Sequence, residues 1–205
     1  MTVYMMNKPA GLITSCRDPR DPTVMECLPA ALRETLHPVG RLDRDTTGLL
    51  LLTDDGRVDQ ALLDPSKKIP RVYSLLAIGH MTEDKISAAS SGVPLGDSGV
   101  LSRGAEIKVT SLHTVYELRD YLPPRRRMRY LKNPDGPAFG ALIRLSEGRK
   151  HEVKLILRSV GCRVIKLSRE SFGEISLDPA LEPGEVRELT PAEYEYLSGL
   201  ILRTL

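Results

Sequence analysis

The chain has 205 residues, 41% of them hydrophobic, which is enough for a sizeable core; only 4% are aromatic and none is Trp, so that core rests on Leu, Val, Ile and Ala. Lys and Arg number 29 against 27 Asp and Glu, a balance that neither demands nor forbids a nucleic-acid partner. Cys16, Cys27 and Cys162 form no C-x-x-C pair, which argues against a disulfide framework or a zinc site and fits a cytoplasmic protein. No apolar run approaches the roughly 18 residues of a membrane span, and "MTVYMMNKPAG" has no basic-apolar leader, so neither export nor a membrane partner is expected.

Val3 to Met6 is a short apolar run halted by "NKPAG", a strand followed by a turn. Pro19, Pro22 and Pro29 keep the next stretch irregular apart from a short helix from about Thr23 to Leu28. "GLLLLT", Gly48 to Thr53, is bounded by Gly and by "DDG" and reads as a strand buried on both faces, central to a sheet. "VDQALL" suits a helix ended by "DPSKKIP". "RVYSLLAIG", Arg71 to Gly79, reads as a strand with Tyr73, Leu75 and Ala77 on one side.

Thr82 is placed to cap a helix running to about Ser90, with Gly92 its stop. Several short strands are expected between Val93 and Leu118, "AEIKVTSL" the clearest. Tyr121 to Pro137 mixes Pro, Gly and basic residues without a period and reads as an exposed loop; "FGALIRLS" returns to strand. From Arg149 to Val160, Val153, Ile156, Leu157 and Val160 recur at helical spacing, and Gly161 follows where a helix ends. "RVIKLSR" reads as a strand. Thr190, Pro191 and Glu193 form a capping box for a last helix, with Leu189 and Tyr194 as its hydrophobic staple. Strands and helices mix without strict alternation, and no Gly-rich phosphate loop follows the first strand, so the class is α+β.

Three constellations can carry chemistry. Lys150, Lys154 and Arg158 recur at i+4 opposite the apolar stripe of the Arg149–Val160 helix, with His151 beside them, at intervals of about 6 Å; a solvated face is the commoner use of such a row. Arg125, Arg126, Arg127, Arg129 and Lys132, interleaved with Met128, Tyr130 and Leu131, form either a solubilising surface loop or a set of phosphate contacts. So dense a cluster in a nearly neutral chain favours nucleic acid. "DRDTT" satisfies the D-x-D-x-T pattern of haloacid-dehalogenase-like phosphatases, with Asp43 as nucleophile, Asp45 as acid and a magnesium ion between them. That pattern wants an apolar strand directly before the first Asp, whereas "PVGRL" stands there and the leucines follow. A turn whose Asp and Thr side chains bond the local backbone is the plainest alternative.

"GRLDRDTTGLLLLTDDG" closely resembles the signature of the RNA pseudouridine synthases of the small-ribosomal-subunit and related large-subunit group. "MNKPAGLITS", "RVYSLLAIG" and "EGRKHEVKLILRSVGCRVIKLSRESFGEISLD" resemble further blocks of that family in the same order, over nearly the whole chain. The resemblance implies the pseudouridine synthase fold, a mostly antiparallel mixed sheet in two lobes flanked by helices with a central cleft, and residues 1–205 as one catalytic domain without the small S4-type RNA-binding domain of many relatives. It implies isomerisation of a uridine in ribosomal RNA without metal or cofactor, by a monomer whose partner is ribosomal RNA or an assembling subunit. Asp43 would be the catalytic carboxylate, Arg41 would fill the space left by the extruded nucleotide, Tyr73 would stack on the uracil, Lys154 would pair with the carboxylate, and Val153 would pack beside it.

The residue types suit that chemistry. Uridine must lose its N-glycosidic bond, turn its base and rejoin through C5, which a carboxylate can drive by adding to C1′ or by taking the 2′ proton. In a closed pocket the carboxylate needs a cation to stay ionised, and an extruded base is held by stacking. Two departures stand out: "LIL" follows Lys154 where the family is commonly arginine-rich, and the Arg125–Lys132 loop is an apparent insertion. It is expected to supply RNA contacts in place of the S4 domain. Lys rather than Arg in "HEVK" leans toward small-subunit RNA, with large-subunit RNA the alternative.

Overall fold

A computed structural model describes residues 1–96 and 99–203. The described residues contain nine strands and six α-helices in an α+β arrangement whose sheet is mixed and mostly antiparallel. The chain divides into two compact units, residues 1–71 with 168–205, and residues 72–167.

The first unit is built on β1 (Val3–Lys8) and β3 (Thr47–Thr53), antiparallel from Val3 opposite Thr53 to Lys8 opposite Gly48. The two-residue β2 (His37–Pro38) pairs with β3, and β9 (Val186–Glu188) pairs with the free side of β1. β7 (Arg163–Phe172) runs parallel to β3 through Thr47–Ser168 and Gly48–Arg169, and the short β8 (Ile175–Ser176) folds back on it. As the unbroken leucine run predicts, β3 is interior: Leu49, Leu50, Leu51 and Leu52 are all 0% exposed. Each such burial stabilises by roughly 1.5–3 kcal/mol. Leu49 and Leu51 join Val3 and Met5 in a core closed by α2 (Gly56–Leu63) and α6 (Pro191–Leu202), through Val58, Leu62, Leu197 and Ile201. The α6 capping box forms as its sequence dictates, with Leu189 buried and Tyr194 packed on the same core. The short helical segment after Thr23 is a 3-10 turn, Val24–Cys27, with its own capping box, followed by the single-turn α1 (Ala30–Arg33).

In the second unit the strand order is β5 (Glu106–Thr114), β6 (Pro137–Leu145), β4 (Arg71–Ile78) and the first part of β7. Leu75, Ala77, Phe139, Ala141, Ile143 and Leu145 present one buried surface, which α3 (Glu83–Ser91) and α5 (Glu152–Ser159) cover through Ala89, Val153, Ile156 and Leu157.

Four local expectations change. Thr82 does precede α3, but its side chain makes no capping hydrogen bond. One nine-residue strand, β5, and a bridge between Pro94 and Leu101 replace the several short strands. The basic stretch is not wholly irregular: it holds a 3-10 turn at Pro124–Arg126 and the single-turn α4 (Arg127–Tyr130). Finally, α5 starts at Glu152, because His151 takes the left-handed conformation at φ 57° and ends any helical continuation toward Arg149. Lys150 therefore lies outside the helix, and the row of three cations shortens to Lys154 and Arg158.

Candidate active site

The first unit holds Asp43 on a loop between β2 and β3 that is fastened on both sides. Leu42, buried, donates its N–H to Thr14 Oγ1 at 3.2 Å, while the Thr14 hydroxyl donates to the Leu42 carbonyl at 2.9 Å. On the other side the Gly11 N–H donates to the Arg44 carbonyl at 2.8 Å, and Arg44 Nε returns a bond to the Gly11 carbonyl at 2.9 Å. Arg44 also pairs with Asp21 at 2.9 Å. The Thr46 N–H closes the turn on the Asp43 carbonyl at 3.0 Å. Asp43 is thus gripped through its neighbours on either side.

Beneath this loop lies Lys8, 0% exposed at the end of β1. Its ammonium donates to the carbonyls of Pro9 at 2.9 Å, Thr46 at 3.0 Å and Arg44 at 3.4 Å. A charge this deep requires such a cage of acceptors, and two of the three, Arg44 and Thr46, belong to the turn that follows Asp43. Gly48, where the loop enters β3, has φ 94°, and a Cβ there would fall on the Arg169 carbonyl and 2.6 Å from Ser168 Oγ. Only glycine lets the strand run this close to β7. Asp43 is half-buried, whereas Asp45 and Arg41 are exposed. Burial and anchoring separate the two aspartates, which spacing alone does not.

The phosphatase reading fails on the same geometry. The D-x-D-x-T pattern needs a strand leading into its first aspartate, and here the seven-residue strand follows it.

The second unit holds the remaining predicted residues. Tyr73, on β4 in register with Leu75 and Ala77, packs on the core and is half-buried. Val153 is 4% exposed in that same core, and Lys154, next to it on α5, is half-buried. Arg125, Arg126, Arg127 and Arg129 are exposed. Their segment sits among tyrosines that carry cations: Arg119 lies 4.6 Å over Tyr116, Lys166 4.8 Å over Tyr121, and Arg163 donates to the Tyr130 hydroxyl at 3.4 Å. Tyr116 is 55% and Met128 77% exposed, so this surface mixes bare flat side chains with positive charge.

Four buried polar residues escape the sequence reading: Lys8 and Thr14 in the first unit, Glu147 and Glu152 in the second. Lys8 carries a faint signal, a cation closing an apolar strand. For Glu152 the signal is clear in retrospect, since it stands at i−4 from Ile156 on the buried stripe of α5.

A sequence profile described as RNA pseudouridylate synthase matches residues 2–159. An "Uncharacterized RNA pseudouridine synthase YtzG" of Bacillus subtilis is 35% identical over 195 residues, 95% of this chain and 72% of that one. The "Ribosomal small subunit pseudouridine synthase A" of Yersinia pestis is 35% identical over 93% of this chain and 70% of its own length, and that of Escherichia coli K12 is 34% identical over 93% and 71%. Among solved structures, one titled "Crystal structure of pseudouridylate synthase" superposes with a TM-score of 0.78 at 30% identity, covering 96% of this chain and 73% of that chain.

Proposed function

From membership of the RNA pseudouridylate synthase family, to which this chain belongs, we propose that it isomerises a uridine of ribosomal RNA to pseudouridine, with Asp43 as the catalytic carboxylate. The observation that carries the assignment is the anchoring of Asp43: a half-buried carboxylate whose flanking carbonyls are held by Thr14 on Leu42 and by Gly11 and the caged Lys8 on Arg44. Such preorganisation suits a group that must meet one sugar carbon in one orientation.

In this reading the target nucleotide leaves its stack, Arg41 takes its place, and Tyr73 stacks on the uracil. Asp43 adds to C1′ and is expelled again when C5 bonds there, or removes the 2′ proton and returns it at that point; on either route the N1–C1′ bond breaks. The base turns, C5 bonds to C1′, the C5 proton is lost and N1 gains one, so composition is unchanged. Lys154 keeps the carboxylate ionised and Val153 fills the apolar wall beside it. Arg125, Arg126, Arg127 and Arg129 take phosphates of the flanking RNA. Residues 1–205 act as one catalytic domain in the cytoplasm, where the partner is ribosomal RNA or an assembling subunit; no helix among the described residues is long and apolar enough to cross a membrane. Small-subunit RNA is favoured, on the Lys of "HEVK" and on the similarity to small-subunit synthases.

The test uses ribosomal RNA and subunits labelled with tritium at uridine C5. The wild type releases tritium and forms pseudouridine at one site, which is absent from cells lacking the gene. Asp43→Asn binds the RNA but releases nothing. Release by the Asn variant, or no release from either subunit's RNA by the wild type, overturns the assignment.

A further inference from the structure

The segment joining β6 to α5 brings two buried acids together. Glu147 and Glu152 are 6% and 4% exposed. Glu147 accepts the Arg103 backbone N–H at 2.7 Å and Arg149 Nε at 2.9 Å, and Arg103 Nε stands 3.8 Å away. Glu152 accepts the Arg149 backbone N–H through Oε2 at 3.0 Å, while its Oε1 is buried without a donor. Both carboxyl groups therefore close on Arg149, Glu147 on its guanidinium and Glu152 on its amide, and Glu152 Oε1 finds no donor there. Two ionised carboxylates buried around one arginine repel each other and are poorly solvated, which favours a proton on one of them.

The surroundings decide which acid carries the proton. Burial, then the charge of Glu147, push Glu152 up to about 8, against the Arg149 amide and charge. Burial also opposes ionisation of Glu147, but the Arg103 amide and the Arg149 guanidinium outweigh it and hold Glu147 below the usual range. At neutral pH the proton therefore sits on Glu152, and the pair titrates as a unit. The charged groups facing Glu152 are Glu147 and Arg149 from its own connecting segment and, through Glu147, Arg103 from the stretch before β5.

The pair stands at the start of α5. His151, the residue before the helix, is left-handed at φ 57° and provides no side-chain cap. Glu152 opens the first turn, and Lys154 lies two residues on. We propose that Glu152, buried beside Glu147 and accepting the Arg149 amide, is a positioning residue that sets the first turn of α5 and so the direction in which Lys154 is presented. The proposal rests on the reading that Lys154 serves Asp43. When the proton leaves at alkaline pH, two buried negative charges repel and the turn loosens.

The experiment measures tritium release between pH 6.5 and 9.5 in wild type, Glu152→Gln, Glu152→Ala and Lys154→Met, with urea unfolding of each variant over the same range. If activity follows protonated Glu152, the wild type loses about tenfold between pH 7 and 9. Glu152→Gln keeps an acceptor for the Arg149 amide but cannot ionise, so it works at pH 7 and lacks that alkaline fall. Glu152→Ala is slow throughout. Unfolding supplies a readout independent of chemistry. An acid whose folded pKa is raised contributes stability that is full below its ordinary value near 4.5 and lost as pH rises through about 8, so Glu152→Gln gains on the wild type across that window. An alkaline fall that persists in Glu152→Gln, or a wild type whose activity ignores pH while its stability changes, overturns the positioning role. A fully active Lys154→Met overturns instead the underlying reading of Lys154. If Glu152→Gln does not fold, Glu147→Gln, which removes the neighbouring charge, must move the alkaline fall to lower pH; an unmoved fall also overturns the role.

Discussion

Replacing Lys8 with Met keeps most of the buried stem and deletes the ammonium, leaving the carbonyls of Pro9 and Thr46, at 2.9 and 3.0 Å, without this donor, and the Arg44 carbonyl, at 3.4 Å, with a weaker loss. A buried acceptor stripped of its partner costs about 1–3 kcal/mol, so the two short bonds amount to roughly 2–6 kcal/mol. Relief from burying a charge offsets part of this, and a net destabilisation of about 2–4 kcal/mol remains. For a protein of this size each kcal/mol moves Tm by about 2–4 °C, so the variant should melt roughly 4–16 °C lower. The loss falls on the loop that carries Asp43. At a temperature where the variant stays folded, tritium release should drop by an order of magnitude or more, whereas RNA affinity by filter binding should change little. A Lys8→Met protein that melts with the wild type and turns over normally would refute the claim that the cage holds the catalytic loop.

Gly48→Ala would place a methyl against the Arg169 backbone at a φ of 94°, so a loss of about 3 kcal/mol or more is expected in urea unfolding; a variant within about 1 kcal/mol of wild type contradicts the close approach. Changing Arg125, Arg126, Arg127 and Arg129 together to Gln should leave stability unaltered, since all four are exposed. It should flatten the dependence of log K on log salt by up to about 3, at about 0.7 per single-strand phosphate contact. An unchanged slope removes these arginines from the RNA interface.

Local patterns in the chain declare much of this architecture. Four adjacent leucines held to strand length by Gly48 and by the turn residues after Thr53 suit a strand buried on both faces, and β3 is that strand; Thr190 and Glu193 start a helix by short-range hydrogen bonds that need no distant partner. Family resemblance, rather than spacing, points to Asp43, because "DRD" offers two equivalent carboxylates until burial and anchoring are known. Tertiary structure decides whatever depends on groups remote in sequence. Lys8 reads as an ordinary strand-end cation until the turn at Arg44 and Thr46 folds over its ammonium. The helix read from Arg149 loses its first turn to a left-handed His151, which apolar periodicity does not report. Glu147 and Glu152 read as surface acids until Arg103 and Arg149 close around them. A side chain's period is written in its own segment; its charge state and its anchorage are set by the neighbours that folding brings to it.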